Sequence, residues 1–208
     1  MIATGLGNRR LELMDATTCE GRKLEPPIPS RNLRFRMVIP AYPAFNIYSN
    51  IACRTTALGP VCVATAVSKT GNWDVEVIDE NNFWKFGPRD DRKLPNHRTL
   101  QTIRRADVIG LYGGLTSTIP RLYELAKFYR ENGIVTVAGG QHFAGANIQE
   151  ALDNGVDYIV IGEGEETILE LLQAIREGSD PGQVRGIAFR KNGAIVQTPE
   201  REPIEDFE

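Results

Sequence analysis

The stretch from residue 157 to residue 177 reads DYIVIGEGEETILELLQAIRE, and it contains a complete strand, turn and helix. Its first part, Tyr158–Ile161, is short and apolar, which is typical of a strand buried on both faces of a sheet. Gly162-Glu163-Gly164 interrupts this apolar run. From Glu165 to Glu177 the apolar residues recur at helical spacing. The order predicts a strand that leads through a glycine turn into an amphipathic helix.

The same unit recurs upstream, where further short apolar runs alternate with longer amphipathic stretches. Such alternation predicts an α/β fold, a doubly wound parallel sheet with helices on both faces. We expect the flavodoxin-like strand order 2-1-3-4-5 because the chain has five units, although the pattern alone does not exclude the other common order. The predicted strands are Phe35–Ile39, Val75–Ile78, Asp107–Tyr112, Ile134–Ala138 and Tyr158–Ile161, and the predicted helices are Thr56–Thr70, Pro120–Glu131, Asn147–Asn154 and Glu165–Glu177.

The two ends of the chain depart from this repeating pattern. Residues 1–32 lack sustained periodicity and end in a proline-rich segment, which predicts an N-terminal arm or linker. Gly186–Arg190 and Ala194–Thr198 flank Asn192-Gly193, and Asn-Gly between alternating runs predicts a β-hairpin. We therefore expect an arm (1–32), an α/β domain (33–180), and a C-terminal hairpin with an exit linker (181–208).

The composition of the 208-residue chain excludes several classes of protein. Hydrophobic residues make up 41% and charged residues 25%, as in ordinary folded domains, and the net charge of −3 gives no support for nucleic-acid binding. No run approaches the ~20 apolar residues of a membrane helix, and the N-terminus lacks the apolar core of a secretory signal. The cysteines, Cys19, Cys53 and Cys62, are too few for a disulfide framework, so we expect a cytoplasmic protein.

Ligands of open α/β sheets bind at the carboxyl ends of the strands, so the loops at that edge carry the candidate site. Three of these loops open with glycine, at Gly113-Gly114, Gly139-Gly140 and Gly162-Glu163-Gly164. Glycine lets a flat ligand approach the backbone closely, although in any single loop it equally serves the geometry of the turn. Three such openings at one edge favour a platform for a large planar ligand.

Other loops at this edge allow two interpretations. The loop Pro40–Ala57 exceeds the ~2–6 residues usual for such connections, and it is either a binding loop or a surface that packs on a larger protein. After the third strand, the hydroxyls of Thr116, Ser117 and Thr118 either bond a ligand or, in one case, cap the next helix. The first loop carries Tyr42, Phe45, Tyr48, Asn50 and Arg54.

The sequence indicates no catalytic residue and no metal site. Its two histidines, His97 and His142, have no cysteine nearby, and the spacing of Cys53 and Cys62 fits no zinc or iron–sulfur motif. Gly-x-Ser-x-Gly, Cys-x-x-Cys and the Walker pattern are all missing from the chain. Because His142 follows a glycine pair at the functional edge, we expect it to line the pocket as a hydrogen-bonding residue.

Six segments in order resemble the cobalamin-binding domain that precedes the catalytic barrel in B12-dependent radical SAM enzymes. The most specific is Asp157–Glu166 (DYIVIGEGEE), and Val137–His142 (VAGGQH) is similar to the family's glycine-pair and histidine segment. The resemblance spans residues 35 to 205, most of the chain. The remaining segments are Thr56–Pro60 (TALGP), Trp73–Asp79 (WDVEVID), Asp107–Gly110 (DVIG), and Gly186–Arg190 with Asn192-Gly193.

The resemblance implies that the corrin ring of cobalamin lies across the carboxyl edge and that the nucleotide tail reaches down beside the strands. The first loop lacks the Asp-x-His-x-x-Gly motif and contains no histidine, which implies base-off cobalamin without a lower histidine ligand from the protein. The cofactor-binding role is carried to Gly113, Gly114, Thr116, Ser117, Gly139, Gly140, His142, Gly162, Glu163 and Gly164.

The resemblance also implies a partner, a radical SAM catalytic domain in cis or in trans. The chain contains no Cys-x-x-x-Cys-x-x-Cys, so S-adenosylmethionine and a [4Fe-4S] cluster would belong to that domain. The implied activity of the whole enzyme is methyl transfer. Two alternatives remain from the residues themselves: an FMN-binding flavodoxin-like electron carrier, and a protein-interaction module without a cofactor.

Overall fold

The computed structural model describes residues 32–43, 55–83 and 87–202. These residues form seven strands and five α-helices. The strands are β1 (Leu33–Ile39), β2 (Trp73–Asp79), β3 (Val108–Tyr112), β4 (Val135–Gly139), β5 (Tyr158–Val160), β6 (Ile187–Lys191) and β7 (Ala194–Gln197). The helices are α1 (Leu58–Lys69), α2 (His97–Ile103), α3 (Ile119–Glu131), α4 (Ala146–Asp153) and α5 (Glu165–Glu177).

The strands form a single sheet in the order β2-β1-β3-β4-β5-β6-β7. Strands β1 to β5 are parallel to their neighbours, which confirms the predicted order 2-1-3-4-5. The chain runs from β1 outward to β2 and then returns to β3 on the other side of β1. This reversal opens a crevice between β1 and β3 at the carboxyl edge, which is where ligands bind in such folds.

The predicted hairpin forms, and it extends the sheet. Strand β6 is antiparallel to β5, with Tyr158 opposite Phe189, and β7 is antiparallel to β6. The five predicted parallel strands and the two predicted hairpin strands therefore form one mixed sheet of seven, whereas the prediction placed only five strands in the sheet. The physical reason is that β6 covers the backbone groups that β5 would otherwise leave unpaired, and it buries Ile187 and Phe189 in doing so.

Helices cover both faces of the sheet. Because side chains alternate along a strand, Phe35 and Met37 of β1 point to one face and Val38 points to the other. Helices α1 and α5 pack on the face of Phe35, through residues such as Val67 and Leu171. Helices α2, α3 and α4 pack on the opposite face. None of the described helices is long and apolar enough to cross a membrane.

Helix α2 was not predicted. It has seven residues, and its buried positions are His97 and Leu100, so it gives too little apolar periodicity to be recognised. Its start is fixed by Asn96, whose side chain accepts a hydrogen bond from the amide of Thr99 at 3.0 Å. This helix completes the second strand-and-helix unit and places His97 beneath the carboxyl edge of the sheet.

Candidate functional site

A cavity of about 240 Å³ opens at the carboxyl edge, on the face covered by α1 and α5. Its floor is formed by the ends of β1, β3, β4 and β5, and its walls by the first turns of the two helices. The volume far exceeds the ~10–15 Å³ that one water needs, so the cavity is large enough for a ligand and is more than a small void left by imperfect packing. Its apolar lining includes Met37, Val63, Val137, Val160 and Ile168.

Five of the predicted site residues line this cavity: Gly139, Gly140, Gly162, Glu163 and Gly164. A Cβ at Gly164 would lie 3.2 Å from Val63 Cγ2 on α1, and a Cβ at Gly139 would lie 3.5 Å from Val160 Cβ. Side chains at these two positions would take up part of the space. These glycines therefore help to keep the cavity open.

The cavity also has a wall that the sequence analysis missed. Gly59, Pro60 and Val63 of α1 line it, and so does Gly110 in the middle of β3. A Cβ at Gly110 would lie 2.7 Å from Phe35 Cζ, so this strand position admits no side chain without repacking. A glycine inside an otherwise apolar strand is a signal of close approach that could have identified this position.

Gly113 and Gly114 lie beside the cavity, and packing within the protein explains them. A Cβ at Gly113 would lie 2.4 Å from the Phe143 ring, and one at Gly114 would lie 2.2 Å from the Tyr112 hydroxyl. Gly140 has a φ of +123°, and its Cβ would lie 2.7 Å from the carbonyl of Gly113. Gly113 and Gly140 are needed for close contact between the loops after β3 and β4, whether or not a ligand is present, whereas Gly114 leaves room for the Tyr112 side chain of its own segment.

His142 and Thr116 meet across these two loops. The distance between Thr116 Oγ1 and His142 Nδ1 is 3.3 Å, and the His142 amide donates a hydrogen bond to Gly113 O at 3.0 Å. Nε2 of His142 is buried and has no hydrogen-bond partner among the described residues. Because an unpaired buried polar atom is costly, this nitrogen is suited to a polar group of a ligand.

Ser117 is exposed and lies in the 3₁₀ turn Thr116–Thr118 that precedes α3. Thr118 occupies the position before the helix, but its hydroxyl donates to the carbonyl of Leu115 at 2.8 Å. The expected side-chain cap from Ser117 or Thr118 is wrong for Thr118, because its backbone is already helical (φ −92°, ψ −8°) and no amide of α3 donates to its side chain.

A buried polar network occupies the opposite face of the sheet, below the same edge. Glu80 directly follows β2, and its carboxylate accepts two hydrogen bonds from Arg121, at 2.7 and 3.0 Å. His97 Nε2 lies 3.0 Å from the same carboxylate, and His97 Nδ1 lies 2.6 Å from the Tyr129 hydroxyl. Arg36 donates to that hydroxyl in turn, at 3.2 Å. The network joins β1, α2 and α3 to the end of β2.

The protonation states in this network follow from its partners. Burial alone would raise the pKa of Glu80, but the hydrogen bonds from His97 and Arg121 outweigh it and lower the pKa to about 2. Burial lowers the pKa of His97, and the contact with Glu80 opposes this change without reversing it. A neutral His97 then donates from Nε2 to the Glu80 carboxylate and accepts the Tyr129 proton at Nδ1. Burial also raises the pKa of Tyr129 to about 12, which keeps its proton in place.

Three consecutive residues at the carboxyl end of β2 hold the two described ends of the loop that follows β1. Glu80 accepts a hydrogen bond from the Ala41 amide, and Asn81 accepts one from the Tyr42 amide, both at 2.9 Å. Asp79 lies 3.2 Å from the Thr56 hydroxyl at the far end of the loop. The predicted loop residues Phe45, Tyr48, Asn50 and Arg54 lie outside the described residues.

Among the residues that the structure describes, no three His, Cys, Asp or Glu side chains gather closely enough to hold a metal ion. The site therefore consists of an apolar cavity, a polar edge at Thr116 and His142, and a network that holds the neighbouring loop. Such an arrangement is suited to binding and orienting a ligand, and the titratable residues of the cavity lining are Tyr112, Glu163 and Glu165.

Comparison with known proteins points to one cofactor. Residues 47–172 match the family model of the B12 binding domain. The chain is 32% identical over 141 residues to the anaerobic magnesium-protoporphyrin IX monomethyl ester cyclase of Synechocystis sp., a match that covers 65% of this chain and 26% of the cyclase. The chain thus spans about a quarter of the length of this curated relative.

Two solved structures share the fold. The cobalamin-dependent S-adenosylmethionine radical enzyme OxsB, with aqua-cobalamin bound, matches with a TM-score of 0.62 and 17% identity, over 82% of this chain and 23% of OxsB. The radical S-adenosylmethionine methyltransferase TsrM from Kitasatospora setae matches with a TM-score of 0.58 and 23% identity, over 82% of this chain and 31% of TsrM. Since the family model covers more than half of the sequence, the chain belongs to the B12-binding domain family, as its resemblance predicted.

Proposed function

We propose that this chain binds cobalamin base-off, with the nucleotide tail in the cavity between α1 and α5 and the corrin ring across the carboxyl edge. The observation that supports this mode is the apolar, glycine-lined cavity of about 240 Å³ within the segment that matches the family. A flat heterocyclic base suits walls formed by Val63, Val160 and Ile168. Gly139 and Gly164 would leave room for it.

Base-off binding without a lower protein ligand requires that no histidine of this chain coordinates cobalt from below. The loop after β1 contains no histidine, and both ring nitrogens of His97 are already engaged by Glu80 and Tyr129. Neither source supplies a lower ligand to cobalt. The corrin rim carries amide side chains, and we assign His142 Nε2 to a hydrogen bond with one of them. Thr116 would orient the imidazole through its contact with Nδ1.

For the whole protein we propose methyl transfer, carried out with a radical SAM catalytic domain that lies outside this sequence. That domain would hold S-adenosylmethionine and the [4Fe-4S] cluster, since the chain has no Cys-x-x-x-Cys-x-x-Cys. Cobalamin supplies the one-carbon and electron-transfer chemistry, while the protein supplies binding, orientation and environment. The role of this chain is to hold the corrinoid with one face presented to the partner.

The test of cofactor identity is retention after desalting. We expect protein incubated with hydroxocobalamin to keep corrin absorbance in the visible spectrum, and protein incubated with FMN to keep no flavin absorbance. Retention of FMN alone would favour the electron carrier instead. Retention of neither ligand by a chain with a folded circular-dichroism spectrum would contradict both cofactor assignments.

The test of the tail cavity is Gly164→Leu. Gly164 has a φ of −94°, which leucine adopts without strain, and its Cβ would face α1. We expect cobalamin affinity to fall by about tenfold or more, which corresponds to ~1.4 kcal/mol. Gly182→Leu is the matched control, because Gly182 lies in the 3₁₀ turn Pro181–Gln183, away from the cavity. Cobinamide lacks the nucleotide tail, so its affinity should not change; equal losses for both ligands would contradict the tail assignment.

The test of the axial ligand is electron paramagnetic resonance of the cob(II)alamin complex. We expect a base-off spectrum without nitrogen superhyperfine splitting, because neither His97 nor the loop after β1 offers a free imidazole. Nitrogen splitting that disappears in His142→Ala would show that His142 ligates cobalt, and it would overturn the role assigned to that residue.

A further inference from the structure

Residues 198–202, which we call the docking segment, lie against the first half of α5, the helix that also contributes Glu165 and Ile168 to the cavity wall. The amide of Gly186 donates a hydrogen bond to Pro199 O at 2.8 Å, and the amide of Ile161 donates to Gly186 O at 2.8 Å. Ile161 immediately precedes Gly162, which lines the cavity. Two backbone hydrogen bonds in series therefore join the docking segment to the loop after β5.

Arg201 adds the side-chain contacts of the docking segment. Its Nε donates to Thr167 Oγ1 at 3.2 Å, and one terminal nitrogen donates to Glu166 Oε2 at 2.9 Å. The other terminal nitrogen lies 2.6 Å from Glu170 Oε2. The Arg201 side chain is only 17% exposed. A planar guanidinium holds these three side chains of α5 in a fixed geometry that the single ammonium of lysine does not reproduce.

Thr167 connects Arg201 to the cavity lining through two hydrogen bonds. It is fully buried, and while it accepts the hydrogen bond from Arg201 its own hydroxyl donates to the carbonyl of Glu163 at 3.4 Å. Glu163 and Gly164 both line the cavity. The hydrogen bonds from Arg201 through Thr167 to Glu163 therefore fix the backbone of the loop after β5.

Gly186 allows these segments to meet without a gap. It has a φ of +74°, and a Cβ there would lie 3.2 Å from Ile161 O, 3.4 Å from Thr167 Oγ1 and 3.8 Å from Arg201 Cβ. A displacement of the docking segment would thus remove the hydrogen bond to Gly186, which itself holds the Ile161 amide, together with the Arg201 contacts at the start of α5. The loop between these two points forms the cavity rim at Gly162 and Gly164.

We propose that Arg201 is a positioning residue for the cobalamin site, and that the docked segment 198–202 holds the loop Gly162–Glu165 in the form that retains the cofactor. This inference rests on the proposed function. Docking and cobalamin binding favour the same loop conformation, so each strengthens the other by the same free energy. Loss of the Arg201 contacts then speeds release of cobalamin without touching it.

The first test measures the rate of cobalamin release from the full chain, followed by visible absorbance. We expect Arg201→Ala and Thr167→Val each to raise this rate by about fivefold or more, the lower end of typical coupling between sites. If the contact acts through Thr167, the double variant releases cobalamin no faster than either single variant. Arg190→Ala is the control, because Arg190 lies on β6 of the hairpin and pairs with Asp153 of α4, away from the cavity lining, and we expect a wild-type rate.

The second test is hydrogen exchange of residues 161–168 in the chain without cofactor, combined with the free energy of unfolding. We expect Arg201→Ala to speed exchange in this segment, while its global stability matches that of Arg190→Ala. Unchanged exchange, or faster release explained by an equal loss of global stability, would overturn the inference. A wild-type chain that retains no cobalamin would refute the proposed function and this inference with it. Retention with an unaltered release rate in Arg201→Ala would refute this inference alone.

Discussion

The two faces of the sheet meet the carboxyl edge in opposite ways. On the face of α1 and α5, glycine and apolar side chains leave a cavity of about 240 Å³. On the face of α2 and α3, Glu80, His97 and Arg121 fill the corresponding region with buried polar groups that bond to one another. The face of α1 and α5 therefore has room for a ligand, whereas the face of α2 and α3 is filled by charged groups that pair with one another.

The difference separates binding from support. Buried charges that already satisfy each other have little to offer a ligand, and breaking one such pair leaves its partner uncompensated. The apolar side chains that line an empty cavity, in contrast, lack dispersion contacts on one side, and a bound ligand can supply them. We therefore assign ligand binding to the cavity face and the holding of the loop after β1 to the network face.

The largest expected effect comes from breaking the network. Glu80→Ala leaves Arg121, whose side chain is 13% exposed, and the buried His97 without their shared carboxylate, and it should lower the free energy of unfolding by about 3–5 kcal/mol. Urea denaturation measures this change. Glu124→Ala is the control, because Glu124 also pairs with Arg121 but is 52% exposed, and we expect it to cost less than about 1 kcal/mol. Equal costs would show that the network face is no more sensitive than the surface.

A matched pair of valines compares the two faces directly. Val38 of β1 is fully buried on the network face, whereas Val160 of β5 lines the cavity. Val38→Ala should cost about 2 kcal/mol of unfolding free energy, because it opens a new void in a filled core. Val160→Ala should cost about 1 kcal/mol or less, because that side chain already borders open space. The reverse order, measured by denaturation, would contradict the contrast between the faces.

The pH dependence of stability offers a third comparison. The folded pKa of His97 lies below its ordinary 6.5, so between the two values the unfolded chain binds the extra proton. Stability from His97 is therefore complete above pH 6.5 and is lost as the pH falls through that range, with a slope of at most about 1.4 kcal/mol per pH unit. A further loss follows below pH 4.5, because the pKa of Glu80 is lowered to about 2.

Denaturation series from pH 7 to pH 5 test this behaviour. We expect His97→Gln to flatten the slope, since glutamine cannot take up a proton. A cavity-face variant such as Val160→Ala should keep the wild-type pH dependence and lower the free energy of unfolding by the same amount at every pH. A slope that is unaltered in His97→Gln would exclude His97 as its source.

The smallest expected effect on stability comes from removing the Asn81 side chain, which hydrogen-bonds to the loop after β1. Asn81→Ala removes the acceptor of the Tyr42 amide and the donor to the Pro40 carbonyl, and it should cost about 1 kcal/mol of unfolding free energy. Cobalamin release should respond more than stability does, because the loop borders the proposed corrin position. A release rate equal to that of wild type would separate this loop from the cofactor site.

Much of the fold could be predicted because parallel strands buried on both faces must be apolar throughout. Residues 158–161 and 107–112 carry that signal without help from distant parts of the chain. Helix α5 was predicted with its observed bounds, Glu165–Glu177, because its apolar stripe and flanking glycines are local features. Helix α2 lacked such a stripe, and its position depends on contacts that His97 makes with Glu80 and Tyr129.

The candidate site divides in the same way. The glycines of three loops stand out in the sequence, and Gly139, Gly162 and Gly164 do line the cavity. The sequence could not indicate that Gly113 and Gly140 serve a contact between two loops, because that contact joins residues 27 positions apart. Gly110 stands out as a glycine within an apolar strand, but the sequence does not indicate that it lines the same cavity as Gly59, since their proximity depends on how α1 lies over β3.

Local patterns in the sequence were enough to predict the five parallel strands in their order, the C-terminal hairpin, four of the five helices in the described residues, and the family. They were enough because propensity, periodicity and turn chemistry act over a few neighbouring residues. The sequence did not reveal which face holds the cavity, how Glu80, His97 and Arg121 pair, or that Arg201 contacts Thr167, and these features became visible in the folded chain. Those features join residues between 17 and 41 positions apart, and their energies come from burial and geometry that no local pattern encodes.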